Sequence, residues 1–169
     1  MVWTIKVGGF VKKRKKILFI SSTGGHLSEL LRLSPMFEKY EYHIVTEQKN
    51  ANLDLEEKYK GHVSFLSYGT KKDKFTYPFR LIYNAFKSLK IYLKFRPDVI
   101  ITTGTHTAGA MCIIGKIFRS RIIYIETLAN IKTKTQTGRI LYHIADLFVV
   151  QWEEMLKIYP KAKYFGRLY

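Results

Sequence analysis

Acidic residues are scarce in this 169-residue chain: 13 Asp and Glu stand against 29 Lys and Arg, a formal net charge of +16. That imbalance excludes a preference for cationic partners and asks for an anionic one. Cysteine is almost absent. The single Cys112 excludes an internal disulfide, and no Cys/His cluster has zinc spacing, so neither a staple nor a metal is expected. Long apolar runs are also missing. The longest, such as 17–20 and 110–114, hold four or five residues, far below the ~20 that a spanning helix requires. The run Lys12-Lys13-Arg14-Lys15-Lys16 looks like a signal-peptide n-region, but only four apolar residues follow before Ser21, where about 7–15 are needed. The expectation is a chain that is neither secreted nor integral to a membrane.

What is present excludes disorder. Hydrophobic residues make up 47% and aromatics 15%, too much apolar content for an unfolded tail. The length fits one ordinary domain and is too short for a large two-domain enzyme. Apolar runs at 17–20, 42–46, 63–66, 98–101, 122–125 and 147–150 read as strands. Helical patterns alternate with them at 26–37, 52–59, 78–95, 108–118, 139–145 and 152–159. This alternation predicts an α/β fold: a single Rossmann-like domain over 17–169 with a mostly parallel sheet, preceded by a basic arm over 1–16. The helix after Pro78 is expected to bury Phe79, Ile82, Phe86 and Leu89, and the helix at 108–118 to be buried throughout.

Ligands in such folds sit at the carboxyl ends of the strands, and the unusual residues fall there. Ser21-Ser22-Thr23-Gly24-Gly25-His26 is a strand-to-helix turn whose glycines let backbone N–H groups approach a phosphate. His26 sits where an imidazole donates to a diphosphate or acts as a base; a tight turn capped by His26 gives the same pattern. Thr102 to Thr107, with Gly104, Thr105 and His106, is a second small-residue turn, suited to phosphate or sugar or simply to N-capping by Thr105 or Thr107. Glu126 ends a strand where an apolar residue would be ordinary, which reads as a sugar or catalytic contact, or as a loop cap. Lys132, Lys134 and Arg139 read as a solvated loop, and Asp146 as structural. There is no P-loop and no G-x-G-x-x-G fingerprint, although Glu47 stands about where a ribose-binding acid would.

The segment 78–96 carries Arg80, Lys87, Lys90, Lys94 and Arg96 with no acid, interleaved with tyrosines. That composition suits anionic lipid headgroups, and equally RNA. Trp3 and Phe10 beside the basic pentad repeat it. On the residues alone, a basic RNA-binding Rossmann module without catalysis and a small dinucleotide enzyme both remain open, although RNA-binding signatures are missing.

Four segments together resemble one family: S-S-T-G-G-H-L-S-E-L-L-R-L at 21–33, I-I-T-T-G-T-H-T-A at 100–108, A-D-L-F-V-V-Q-W at 145–152 and Y-P-K-A-K-Y at 159–164. The family comprises the membrane-anchoring, acceptor-side subunits of two-component glycosyltransferases, which serve dolichol-linked oligosaccharide synthesis and bacterial capsule and exopolysaccharide synthesis. The tail and I-E-T-L-A at 125–129 look like the bacterial branch. The resemblance implies the N-terminal half of a GT-B enzyme, needing no cofactor and no metal. It implies a second subunit carrying the nucleotide-sugar site, a polyprenyl-diphosphate-linked acceptor, and no nucleic acid. It implies contact of Thr23, Gly24, Gly25, Gly104, Thr105 and His106 with the acceptor diphosphate, and catalytic roles for His26 and Glu126. Eukaryotic members have an N-terminal transmembrane helix, and none is expected in this sequence. Attachment is therefore expected to be peripheral, at the cytoplasmic face of the cell membrane, through Trp3, Arg80, Lys87, Lys90 and Lys94. Aromatic residues suit interface cores, so Trp152, Tyr164, Phe165 and Tyr169 are the expected partner surface.

Overall fold

A computed structural model describes residues 14–52, 54–69 and 77–168. Trp3, the arm over 1–11, the lysines at 71–74 and Tyr169 lie outside the described residues. The elements run β1 (Lys16–Ile20), α1 (Gly25–Leu31), β2 (Glu41–Glu47), α2 (Asp54–Lys58), β3 (Val63–Leu66), α3 (Tyr77–Phe95) and β4 (Val99–Thr102). They continue through α4 (His106–Ile117), β5 (Arg121–Ile125), α5 (Gln136–Ile144), β6 (Leu147–Val150) and β7 (Lys163–Tyr164). The strands form one sheet in the order β3-β2-β1-β4-β5-β6-β7, and every ladder is parallel. The order reverses between β1 and β4, which opens a crevice at their carboxyl ends.

Helices cover both faces, so the central strands read as near-continuous apolar runs. Ile17, Phe19, Ile44, Ile101, Ile125 and Val149 pack beneath α1 with Leu30 and Phe37. Leu18, Ile20, Val45, Ile100, Ile122 and Tyr124 face the opposite layer, where α3, α4 and α5 contribute Tyr92, Met111, Cys112 and Leu141. Burial pushes the Cys112 thiol up to about 12, so it is an inert core thiol. Asp146 holds the opposite rim together, accepting from the Ile122 N–H at 2.8 Å and from Lys116 at 2.6 Å.

The structure departs from the sequence reading in several places. A seventh strand lies at the sheet edge, pairing Val149 with Lys163 and Val150 with Tyr164. It has two exposed residues and no alternation to mark it. The first helix ends at Leu31, and Pro35 lies in a separate 3-10 turn, Ser34–Met36. The pattern at 152–159 is a 3-10 turn, Glu153–Lys157, not an α-helix.

The largest correction concerns α3. Phe79 is 75% exposed and Phe86 69%, and Ile82 is exposed with them. The buried stripe is Asn84, Ser88 and Tyr92. Polar locks choose that face. The Asn84 amide accepts from the Ser67 N–H at 2.9 Å and donates to the Ser67 carbonyl at 2.8 Å. Tyr92 shares a hydrogen bond of 2.7 Å with Ser120. Turning the apolar stripe inward would strand those backbone groups. The helix α4 is corrected too, since Ile113, Ile117 and the following Phe118 are exposed.

Candidate active site

The turn after β1 leads into α1 through Gly24, whose φ of 86° and ψ of −143° lie where side chains are not tolerated. A Cβ added at Gly24 or Gly25 would meet nothing within 4 Å among the described residues, so this backbone borders open space there. His26 Nδ1 lies 2.9 Å from the Thr103 carbonyl. A carbonyl only accepts, so Nδ1 carries the hydrogen, and the neutral ring keeps its lone pair on Nε2. Thr103 returns the bond, its hydroxyl donating to the His26 carbonyl at 2.8 Å. This reciprocal clasp joins the loops after β1 and β4 across the point where the strand order reverses.

His26 opens onto a cavity of about 230 Å³ lined also by Gly104, Thr105, Tyr124, Thr135, Gln136 and Thr137. Gly104 has φ 101°. A Cβ there would lie 3.6 Å from the Tyr124 hydroxyl and 3.9 Å from His26 Cε1, so a bare backbone is what separates the two rings. Thr105 occupies the N-cap position of α4 without a side-chain cap bond, and its buried Oγ1 has no partner among the described residues. Thr107 donates to Glu47 at 2.6 Å instead, which ties that acid to α4.

Glu126 lies beneath this cavity, not on its wall. Its Oε1 accepts from the Tyr124 hydroxyl and the Thr127 N–H, both at 3.1 Å. Its Oε2 accepts from Thr135 at 3.2 Å and Tyr159 at 3.5 Å. Burial raises the Glu126 pKa against the pull of these donors. Burial, with the Glu126 charge second, pushes Tyr159 to about 12 and Tyr124 further still. Tyr124 therefore keeps its proton.

The remaining rim loops are tied to the same place. Glu29 of α1 accepts from the Thr127 hydroxyl at 2.8 Å and the Leu128 N–H at 3.1 Å. Gln151 donates to the Glu126 carbonyl at 3.2 Å and accepts from the Leu168 N–H at 3.0 Å. Trp152 donates to the Leu128 carbonyl at 2.9 Å, and Arg167 lies 4.1 Å over its ring. Four strand-end loops and the tail are one hydrogen-bonded unit.

The profile of the family described as oligosaccharide biosynthesis protein Alg14 like matches residues 17–168. The chain belongs to the Alg14 family. Among its curated relatives is the UDP-N-acetylglucosamine transferase subunit ALG14 of Mus musculus, 25% identical, the match covering 99% of this chain and 90% of the relative. The subunit of the same name in Kluyveromyces lactis is 30% identical, with coverage of 96% and 81%. Among solved structures, the chain is similar to MurG of Acinetobacter baumannii, with a TM-score of 0.71 and 13% identity over 90% of this chain. It is also similar to a UDP-N-acetylglucosamine 2-epimerase of Rickettsia bellii, with a TM-score of 0.65 and 16% identity. The chain spans 45% of each of these two structures. At such identity the likeness is one of fold: a Rossmann-like α/β domain resembling half of a GT-B glycosyltransferase. The family and its named relatives make this Alg14-family chain a glycosyltransferase subunit.

Of the residues expected at the site, His26, Gly104 and Thr105 meet at the cavity, with Thr23, Gly24 and Gly25 on the adjoining turn. His106 is the first residue of α4. Glu126 is one residue layer deeper. Trp152 is half-buried by its internal bonds, while Tyr164 and Phe165 are exposed. Arg80 is occupied by the Tyr68 carbonyl at 2.9 Å. Lys87 is half-buried, and Lys90 and Lys94 are exposed. Sequence reasoning did not single out Glu29, Tyr124 or Thr135, and it reached Thr103 only as part of the 102–107 turn. Glu29 lies within the 21–33 segment that carries the resemblance, and Thr135 stands as an N-cap. Tyr124 sits in an apolar strand with nothing to single it out. A second hollow of about 290 Å³, lined by Lys16, His43, His62 and Lys94 among others, lies at the amino ends of the strands. Burial, then His62 and Lys94, lowers His43 to about 4. It belongs to the rim opposite the reversal point.

Proposed function

We propose that this chain is the acceptor-binding subunit of a two-component glycosyltransferase that moves a sugar from a nucleotide sugar to a polyprenyl-diphosphate-linked saccharide. The relatives' names make UDP-N-acetylglucosamine the donor to test first. The observation that carries the reading is the orientation of His26: Nδ1 is spent on Thr103 and Nε2 is the basic nitrogen at a cavity bordered by bare glycine backbone. In the reaction, an acceptor hydroxyl attacks the anomeric carbon of the donor sugar. The new glycosidic C–O bond forms as the anomeric carbon–phosphate oxygen bond breaks, and the nucleoside diphosphate leaves with the electron pair. His26 Nε2 takes the proton. Gly24, Gly25, Gly104 and Thr105, with Thr23 and His106 beside them, receive the acceptor diphosphate. The Tyr124 hydroxyl, its proton given to Glu126, offers the cavity an acceptor oxygen, and Glu126 acts through Tyr124 and Thr135 as a positioning residue.

The donor site belongs to a second subunit. It docks on the tail that Gln151 and Trp152 hold at the carboxyl rim, where Tyr164 and Phe165 are exposed; Tyr169 is assigned to the same contact from the sequence alone. Attachment to an anionic membrane at its cytoplasmic face draws on Lys87, Lys90 and Lys94, with Arg80 and Trp3. The bacterial capsule and exopolysaccharide setting rests on the tail and the 125–129 segment.

The test is transfer to a polyprenyl-diphosphate-sugar by the assembled pair. His26→Ala should cut turnover roughly 10²- to 10⁴-fold, with the loss in kcat; a loss confined to KM would leave His26 a binding residue. Wild-type turnover in folded His26→Ala would overturn the assignment.

A further inference from the structure

The helices α3, α4 and α5 lie side by side on one face of the sheet, each sending residues into the same core. Their outward side is apolar. Phe79, Ile82 and Phe86 on α3 are exposed, with Ile113 and Ile117 on α4 and Ile140 on α5, and Ile117 is 71% exposed. Exposed hydrophobes scattered singly need no explanation, but one apolar side extending over three adjacent helices does. Its charge says what covers it. None of the three helices contains an Asp or Glu, while Lys87, Lys90, Lys116 and Arg139 lie among or beside the apolar residues. A second copy of this chain would set cations against cations across such a face. A surface both apolar and anionic matches it, and that is a bilayer containing anionic lipid.

We propose that the outer face of α3, α4 and α5 inserts into the membrane interface, so that attachment is chiefly hydrophobic and the cations only complement it. This rests on the reading of a membrane-attached subunit and adds the mode and the face. It reverses what helical periodicity suggests, in which the phenylalanines fill the core and the helix meets lipid through its cations. It also has a geometric consequence. All three helices start at the carboxyl rim of the sheet, and the His26 cavity is walled by Gly104 and Thr105, which lead into α4, and by Gln136 and Thr137, the first residues of α5. The embedded layer therefore carries the cavity at its own edge. A lipid-linked diphosphate reaches it from the interface without leaving the bilayer.

The experiment is flotation of the full chain with vesicles of phosphatidylcholine and phosphatidylglycerol, at low salt and at about 1 M salt, where the Debye length is about 3 Å. Wild-type protein should stay bound at high salt. Phe79→Ser with Phe86→Ser should bind at low salt and be released at high salt, with partitioning weakened roughly ten-fold or more per phenylalanine. Both sites are exposed, so the variant's circular dichroism should match wild type, and Ile117→Ser should shift partitioning in the same direction. Phe86→Trp should be quenched by lipids brominated in the acyl chain. Release of wild type by salt, with Phe86→Trp unquenched, overturns insertion and leaves an electrostatic membrane contact standing. Absence of binding at either salt overturns both readings. Unchanged vesicle binding in the double variant, with weakened pairing to the second subunit, would make this face a protein interface.

Discussion

Gly138, the third residue of α5, sets local propensity against tertiary packing. Alanine in place of glycine inside a helix gains roughly 0.5–1 kcal/mol. The structure opposes this. A Cβ at Gly138 would lie 2.5 Å from the Tyr159 hydroxyl, 2.6 Å from Thr135 Oγ1 and 2.8 Å from Glu126 Oε2. All three oxygens must retreat, and all three belong to the network that satisfies the buried Glu126 carboxylate. Overpacking costs roughly 1–3 kcal/mol. Loosening the hydrogen bonds of a buried polar group costs roughly another 1–3 kcal/mol. Gly138→Ala should therefore destabilise by about 3 kcal/mol after the propensity gain, which in a domain of this size lowers Tm by roughly 6–12 °C. Thermal denaturation followed by circular dichroism measures it. Adding Tyr159→Phe removes the nearest oxygen and should recover part of the loss. A Tm at or above wild type for Gly138→Ala would refute the packing argument and make the Glu126 network soft.

Glu126→Gln should change how stability depends on pH. Burial raises the Glu126 pKa above its ordinary 4.5, so the folded state holds that proton more tightly than the unfolded chain. That stability is present below the unfolded pKa and is lost as pH rises through the folded one; urea titrations should show wild type losing ground to Glu126→Gln over this window, and parallel curves would sink the idea. Asn84→Leu, which helical periodicity would call harmless, should cost roughly 2–4 kcal/mol by stranding the Ser67 N–H and carbonyl. An unchanged urea midpoint would show that other contacts hold α3 in place.

Much of the candidate site was legible in the residues. Alternating apolar runs and helical patterns implied parallel strands, and that topology gathers strand-end loops at one rim. His26, Gly104 and Thr105 were visible as polar or bare residues at strand ends, where the local pattern expects neither. The partners that orient them were not. Thr103 lies 77 positions from His26 and Glu29 lies 98 positions from Thr127. No local spacing carries such pairings, and Tyr124 is indistinguishable from a core aromatic until Glu126 is seen beneath it.

The face of α3 marks the boundary. The sequence by itself determined that residues 78–95 form an amphipathic helix, because propensity and period are local properties. It did not determine which side faces inward. Apolar surface gains from leaving water wherever it goes, whereas a buried backbone N–H or carbonyl must find a partner at a particular place. Asn84 supplies that partner to Ser67 only when β3 and α3 are already assembled. That tertiary requirement turned Phe79, Ile82 and Phe86 outward.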